Sequence, residues 1–198
     1  MKENKRQLQK ELTRKKLIET AFKLYGTNGI LNTRTIDIAK EAKVSHGTIF
    51  AHFETQEELL NTVIEEFGKE ITEKLHELVD INSNLEEILS GHLMGVMEFE
   101  KFYTRLIIER RLLPESASNT YIMIQSTISF HIGEILKQEI AEGKIIDTPI
   151  YLLFNSWVGL IHYYLINGDL FSNDESILKN YGQNLINHYI KLIKIRKG

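Results

Sequence analysis

The 198-residue sequence contains no cysteine, which excludes disulfide scaffolds, thiolate zinc sites and cysteine nucleophiles. It contains only two prolines, so little of the chain is barred from regular helix. A run of about 18 apolar residues does not occur, and a membrane-spanning helix is therefore not expected. The basic N-terminal stretch is not followed by the apolar segment of a secretory signal. We expect a cytoplasmic protein.

Charge is distributed unevenly along the chain. The net charge of −3 argues, on its own, against binding to a polyanion. Up to Phe53, however, eleven Lys and Arg residues stand against five acidic residues and give +6, whereas the remainder carries −9. Such asymmetry hints at a polyanion-binding end joined to a body with a different task. A solvated basic helix face explains the same count, so charge alone leaves both interpretations open.

The hydrophobic pattern predicts an all-α protein of about nine helices. Between Glu11 and Tyr25 the apolar residues recur at the spacing of one buried helix face, whereas sustained strand-type alternation is missing. Two glycines and two asparagines then interrupt the pattern in the segment 26–32. A later long helix is expected from about Glu115 to Gly143, because glycine is favoured just beyond a helix C-terminus.

Helix starts are indicated by capping signals. A capping box places Ser or Thr before the helix and Glu three residues later, and this pattern occurs at Thr55, Ser83 and Ser172. Thr148 is expected to cap a helix whose first residue is Pro149, because proline is favoured at that position. The apolar segment after this proline should be buried on several sides.

The segment 35–53 has the spacing of a helix-turn-helix. It predicts two short helices, 35–42 and 46–52, joined by a turn of three or four residues. Ala39 is small where the first helix must pass close to the second. Val44 and Ile49 are placed to point into the core.

The second of these helices presents residues suited to DNA. Ser45 is placed to cap it, and Gly47 lets a backbone phosphate approach closely. The free N–H groups and the dipole at a helix N-terminus favour an anion. His46 and Thr48 lie on the first turns, from which side chains reach base edges in the major groove. The pattern therefore predicts a DNA-recognition helix.

Further residues extend the motif on both sides in a fixed order. They are Thr13-Arg14, Ala21-Phe22, Gly29, Ile38-Ala39, Ala42, Val44-Ser45, Gly47-Thr48-Ile49-Phe50, Phe53 and Glu58-Leu59. In this order the stretch from about Thr13 to Leu60 resembles the tetracycline-repressor (TetR) family. The resemblance implies a DNA-binding domain over residues 11–71, with its motif at about 34–53, and a helical effector-binding and dimerisation domain over 72–198.

The resemblance also implies a function and its contacts. We expect a homodimeric, sequence-specific transcriptional regulator, a repressor that a small apolar or amphipathic effector releases from a double-stranded operator. Neither a metal nor a cofactor is expected, and the protein is not expected to be an enzyme. The expected DNA contacts are Arg14, Arg34, Thr35, Lys43, Ser45, His46, Gly47, Thr48, Phe50 and His52.

Four positions depart from the family pattern. The family usually has glycine where Lys43 stands, tyrosine at Phe50, a basic residue at Gln56 and often lysine at His46. If position 43 needs a positive φ, lysine there costs about 1 kcal/mol. We therefore expect weaker electrostatic binding than is usual, partly offset by Lys43, Arg14, Arg34 and the basic arm before Leu12.

The aromatic body of the chain is the expected place of an effector pocket, because helical bundles hold ligands between facing helices. The candidates for its lining are Phe102, Arg105, Tyr121, His131, Phe154, Asn155 and Trp157. The last two helices offer an apolar stripe and a glycine for close approach, which indicates an isologous dimer. The expected interface residues are Gly159, Leu178, Tyr181, Leu185, Tyr189 and Leu192.

Two alternatives remain open at this level. Glu73 and His76 form an E-x-x-H unit, which di-iron helical bundles use twice, so a metal-dependent bundle enzyme is a candidate from another class. A single copy is more simply an exposed charged pair. The other alternative is a DNA-bound scaffold whose body binds a protein and no small molecule.

Overall fold

The structure, a computed structural model, describes residues 2–78, 83–172 and 175–195. Over these ranges the chain forms nine α-helices and no strand, as the hydrophobic pattern predicts, with one isolated β-bridge between Ile145 and Lys194. Two short 3₁₀ turns, 110–112 and 168–170, follow α6 and α8. The helices are α1 (Lys2–Asn28), α2 (Thr35–Glu41), α3 (His46–Phe50), α4 (Gln56–Leu78), α5 (Leu85–Glu98), α6 (Glu100–Glu109), α7 (Glu115–Ala141), α8 (Ile150–Ile166) and α9 (Ile177–Ile193).

The chain divides into two compact units. The first contains the chain up to Glu66 together with Lys101–Thr120, and the second contains Phe67–Glu100 and the chain from Tyr121 onward. The sequence placed a single boundary between residues 71 and 72. The structure places it inside α4, five residues earlier, and it groups α6 from Lys101 onward with the N-terminal helices.

The packing of α6 explains that grouping. The Phe102 ring meets the Phe22 ring edge-on at 5.0 Å and lies 6.3 Å from the Tyr25 ring. Gly26 allows this approach, since a Cβ there would lie 3.0 Å from the Cβ of Lys101. Aromatic pairs of this kind dominate core energetics, so α6 is part of the first unit's core. Its buried apolar residues include Leu17, Ala21, Tyr25, Ile38, Ile49, Leu59, Val63, Phe102 and Leu106.

The second unit is a helical bundle with its core around Trp157. This indole is fully buried, and its Nε1 donates to Nδ1 of His92 on α5 at 3.1 Å. The Tyr189 ring of α9 packs on the indole at 5.3 Å, and its hydroxyl donates to the carbonyl of Leu153 at 2.7 Å. Aromatic and polar contacts thus tie α5, α8 and α9 together.

Two predicted caps can be compared directly with the structure. Thr55 caps α4, because its Oγ1 accepts from the Glu58 N–H at 3.0 Å, although the Glu58 carboxylate accepts from the N–H of Glu54. At α5 the prediction of Ser83 is wrong by one residue. Asn84 is the cap, and its amide oxygen accepts from the N–H of Glu87 at 3.1 Å.

The caps of the last two helices also differ from the prediction. Pro149 is itself the N-cap of α8, so Thr148 lies one residue outside the predicted position. Ser176, and not Ser172, caps α9, and the Glu100 carboxylate accepts from the N–H groups of Ile177 and Leu178 at 2.8 and 3.0 Å. Two residues of the predicted box, 173 and 174, lie outside the described residues. An acidic residue from α6 therefore stabilises the positive end of α9.

None of the helices in the described ranges is both long enough and apolar enough to cross a bilayer.

Candidate nucleic-acid interface

Helices α2 and α3 form a helix-turn-helix in the first unit. Their inner sides are buried, with Ile38 and Ala39 of α2 and Ile49 of α3 exposed by 1% or less. The Val44 N–H donates to the carbonyl of Ala39 at 3.0 Å and closes the turn. Val44 is half-buried, so it reaches the core less fully than predicted. This packing fixes α3 and leaves its other face toward solvent.

The turn contains a strained lysine. Lys43 has a φ of 55°, in the left-handed region that L residues with a Cβ rarely adopt. Among the described residues it is the one non-glycine residue with a positive φ. The sequence predicts that lysine costs about 1 kcal/mol if position 43 has a positive φ, and the structure shows that it does. Its side chain is exposed and adds a positive charge beside α3.

Ser45 caps α3, as predicted. Its Oγ accepts from the Thr48 N–H at 3.2 Å and lies 2.8 Å from Oγ1 of Thr48. The Thr48 side chain is half-buried. Its hydroxyl is therefore engaged in the cap, which limits how far it extends toward a ligand.

The imidazole of His46 is oriented by contacts with Thr35 and Phe50. Its Nε2 lies 2.9 Å from Oγ1 of Thr35, the first residue of α2, and its ring meets the Phe50 ring edge-on at 5.1 Å. His46 is exposed, whereas Thr35 is only 8% exposed. Thr35 therefore offers little surface for the expected DNA contact, which stays a prediction. Thr35 orients His46, a link that the sequence analysis missed.

The outer face of α3 is completed by Gly47 and Phe50. Gly47 is exposed, and a Cβ there would have as its nearest neighbour the Oγ of Ser45 at 4.0 Å. Phe50 leaves 47% of its surface exposed, although it is a large apolar residue. Arg34 is exposed at the N-cap of α2, where its N–H donates to the Asp37 carboxylate at 3.2 Å. Arg34, Gly47 and Phe50 are therefore all exposed to solvent.

Arg14 has an internal role in the first unit. Its guanidinium lies over the Phe53 ring, 4.9 Å from the centroid, and its Nη2 is 3.5 Å from Oγ1 of Thr62. A cation above an aromatic face contributes about 0.5–1 kcal/mol at an exposed site. Arg14 is half-buried, so part of it is committed to joining α1 to α4 and to the segment between α3 and α4.

His52 lies next to these cations. Its side chain is half-buried, and its Nδ1 is buried without a hydrogen-bond partner among the described residues. Burial lowers the pKa of His52 below its usual value, and the positive charges of Lys10 and Arg14 lower it further. Lys10 of α1 is therefore near enough to His52 to influence its charge, which the sequence analysis did not anticipate.

Comparison with known proteins agrees with this geometry. The family described as bacterial regulatory proteins, tetR family, matches residues 17–63, a range that holds the whole helix-turn-helix. The family match, the relatives and the solved structures together support a TetR family transcriptional regulator.

Individual relatives match to different extents. An HTH-type transcriptional repressor of Mycobacterium tuberculosis is 35% identical over 60 residues, 30% of this chain and 32% of the relative. The repressor KstR2 of the same organism is 25% identical over 168 residues, 79% of this chain and 84% of that one. A solved transcriptional regulator from Saccharomonospora viridis in complex with choline has a TM-score of 0.79 at 19% identity, over 94% of this chain and 100% of that chain. The chain spans about a third of the first relative, and the structural likeness shows the fold alone.

The residues predicted to line a TetR-type effector pocket are divided between the two units. Phe102 and Arg105 belong to the first unit, where Phe102 is core. In the second unit Trp157 is packed against His92, and Tyr121 and Phe154 are buried with 5% and 6% of their surface exposed. Large aromatic residues at helical spacing have here formed ordinary core.

The two polar candidates of the second unit lie on different helices. Asn155 is exposed on α8, and His131 is half-buried on α7 with its ring 4.9 Å from that of His76 on α4. A cleft of about 670 Å³ in this unit has other walls. It is lined by Asn84, Leu85, Glu86, Glu139, Glu142, Gly143, Lys144, Ile145, Ile190, Lys194 and Ile195. None of the seven predicted pocket residues lines it.

The predicted dimer stripe of α9 lies inside the second unit instead. Leu178, Leu185 and Tyr189 are exposed by 4% or less. Tyr181 is half-buried, and its hydroxyl donates to the carbonyl of Phe171 at 2.9 Å. Of the stripe, Leu192 alone is largely exposed, at 63%. The apolar face of an amphipathic helix packs against the core of its own bundle, and α9 follows this rule.

Large apolar residues are exposed on α8, as they are on α7, where Ile122, Met123 and Phe130 are exposed by 52, 70 and 64%. Tyr151, Leu152, Tyr163 and Ile166 are exposed by 63, 46, 56 and 45%. Gly159 is exposed between them, and a Cβ there would meet nothing within 4 Å. We call these five residues the α8 face. The sequence feature that indicated this exposed face is the apolar character of the segment 150–166 on nearly all sides.

The E-x-x-H unit forms no cluster of ligands. Glu73 pairs with Lys69 at 3.8 Å, and His76 contacts His131. Among the described residues, no group of three or more His, Asp or Glu side chains could hold a metal ion.

Proposed function

We propose that the protein is a dimeric, sequence-specific DNA-binding transcriptional regulator that acts as a repressor in the cytoplasm. The observation that carries this proposal is the exposed face of α3. There His46, Gly47 and Phe50 stand out from a helix whose inner side is fixed in the core, with the cationic Lys43 beside them. A recognition helix reads base edges from such a position.

His46 is the proposed base-reading residue. Thr35 engages one ring nitrogen and Phe50 contacts the ring, so the imidazole is oriented before DNA arrives. An oriented side chain loses less rotamer entropy on binding than a mobile one. Phe50 adds an apolar surface of the kind that contacts a thymine methyl group.

The α8 face supports the dimer. Soluble monomers rarely expose a contiguous apolar patch of this kind, and a two-fold axis pairs a face with its own copy. Gly159 leaves open space where another helix can approach closely. Two recognition helices related by such an axis fit half-sites about 34 Å apart, or a multiple of that distance.

The effector remains a small apolar or amphipathic molecule in this proposal. Helices α4 and α7 each run through the boundary between the two units, at 66/67 and 120/121. A ligand that favours the non-operator state shifts the equilibrium by its difference in affinity for the two states. A coupling of about 1–3 kcal/mol corresponds to roughly 5–150-fold weaker DNA binding.

The experiment that tests the proposal begins with selection of duplexes from a random library by the full-length protein. The variant His46→Ala should then lose about 5–150-fold in affinity for the selected duplex, the equivalent of about 1–3 kcal/mol, and much less for a scrambled duplex. Thr35→Val removes the hydroxyl that contacts His46. This variant should also lose more affinity for the selected duplex than for the scrambled one. His188→Ala, an exposed histidine on α9, serves as the control.

Two results would contradict the proposal. If the wild-type protein enriches no sequence from the library, sequence-specific binding is absent. If His46→Ala weakens binding to the selected and scrambled duplexes equally, His46 does not read a base.

A further inference from the structure

The first three turns of α1 extend beyond the packed part of the first unit. The helix begins at Lys2, whereas the sequence pattern predicted a start near Glu11. Its residues 5–12 are all exposed, and its first buried residue is Leu17. The basic arm expected before the first helix is thus a continuation of that helix, so its side chains have fixed relative positions.

Arg6, Lys10 and Arg14 lie on one face of this extension. They are four residues apart, so the helix brings them into a row with a rise of about 6 Å per step. At about 100° per residue, the row continues the face that buries Leu17 and Ala21 in the core. The face of α1 that is apolar inside the unit is therefore cationic outside it.

The inner end of this row lies beside the recognition helix. The Arg14 guanidinium covers the Phe53 ring, and Lys10 and Arg14 act on the pKa of His52 just after α3. Arg14 therefore contacts the segment that follows α3, and Lys10 is near enough to influence the charge of His52 there. Neither Arg6 nor Lys10 forms an ion pair with a side chain that the structure describes. Lys15, on another face of α1, lies 3.9 Å from Glu19.

We propose that Arg6 and Lys10 bind DNA backbone phosphates outside the bases that α3 reads, with Arg14 as the fixed inner end of the row. This proposal rests on the proposed function. Lys and Arg side chains that approach phosphates release condensed counterions, and no base-specific geometry is required of them. The row thus sets affinity and position on the duplex, and α3 sets the sequence.

The salt dependence of binding tests this proposal. The double variant Arg6→Gln/Lys10→Gln is compared with wild type on the selected duplex by fluorescence anisotropy between 50 and 200 mM salt. Each lost phosphate contact reduces the slope of log K against log salt by about 0.9, or about 3.6 for the four contacts of a dimer. Over this fourfold range the variant should therefore lose about 150-fold less affinity than wild type.

The matched control is Lys15→Gln/Lys16→Gln, which removes the same charge from other faces of the same helix. It should change the slope far less. All four residues are exposed, so an unchanged melting temperature confirms that both variants are folded.

The outcomes separate this proposal from the proposed function. A slope that is equal in the double variant and wild type, or lowered as much in the control, overturns the phosphate row while specific binding stands. A wild type that selects no duplex overturns the proposed function itself. Loss of binding to phosphatidylserine vesicles in the double variant, with the DNA slope unchanged, would assign the row to a membrane surface and overturn the proposal.

Discussion

Acid should destabilise the second unit through one buried histidine. His92 is 2% exposed, and its Nδ1 accepts the hydrogen bond from the Trp157 indole. Burial lowers the pKa of His92 from 6.5 to about 4, with a smaller contribution from the charge of His162. The folded protein therefore holds His92 neutral at pH values at which the unfolded chain protonates it.

The sign and size of the effect follow from this difference in pKa. The folded-state pKa is the lower one, so the stabilisation is fully present above pH 6.5 and is lost as the pH falls toward about 4. A difference of 2.5 units at 1.36 kcal/mol per unit gives a total loss of about 3.4 kcal/mol. Of this, about 2 kcal/mol should be lost between pH 7.5 and pH 5.

Urea unfolding measures this directly, because Trp157 is the single tryptophan and reports on the second unit. The comparison is with His92→Asn, whose Oδ1 can accept the same indole hydrogen bond but does not titrate. The variant is less stable overall because it leaves a cavity. Its free energy of unfolding should nevertheless fall by about 2 kcal/mol less than that of wild type over the same pH range. Parallel pH profiles for the two proteins would refute a neutral buried histidine.

Three further predictions concern backbone and packing. Lys43→Gly should raise the free energy of unfolding of the first unit by about 0.5–1 kcal/mol, because φ is 55° at this position; a decrease in urea titrations would argue against strain. Leu152→Glu with Ile166→Glu should give monomers in sedimentation velocity, and an unchanged dimer would remove the α8 face from the interface. Gly95→Ala should lower stability by about 1–3 kcal/mol, because its Cβ would lie 3.0 Å from the Cα of Ile71; an unchanged melting temperature would contradict this close approach.

The helix-turn-helix could be predicted from the sequence because its determinants are local. Ser45 caps α3, Ile49 is buried and Lys43 adopts a positive φ, and each of these follows from neighbours within a few residues. The fold class follows for a similar reason, since helical periodicity is a local property. Hydrogen bonds between elements were not predictable in this way. The Thr35–His46 contact needs the angle between α2 and α3, which one sequence does not contain.

The sequence could not separate pocket residues from core residues, for a different reason. Phe102 and Trp157 were grouped because aromatic residues line ligand pockets, but the same residue types also form ordinary core. Which of the two occurs depends on whether the surrounding helices close around the ring. The Phe102 ring packs against Phe22 and Tyr25 in the first unit. The Trp157 ring packs against His92 and Tyr189 in the second. Composition alone does not distinguish these two cases.

The exchange of roles between α8 and α9 has a physical basis in their patterns. α9 has one apolar face and one polar face, so a single arrangement buries Leu178, Leu185 and Tyr189 and leaves polar residues outside. α8 is apolar nearly all round, and a helix packed on one side must expose the remainder. Tyr163 and its neighbours on the α8 face are that remainder, and their exposure favours a second copy as the cover. The dimer proposal therefore keeps its two C-terminal helices but moves its apolar contacts from α9 to α8. A charge at Leu185 tests the fold, and a charge on the α8 face tests the assembly.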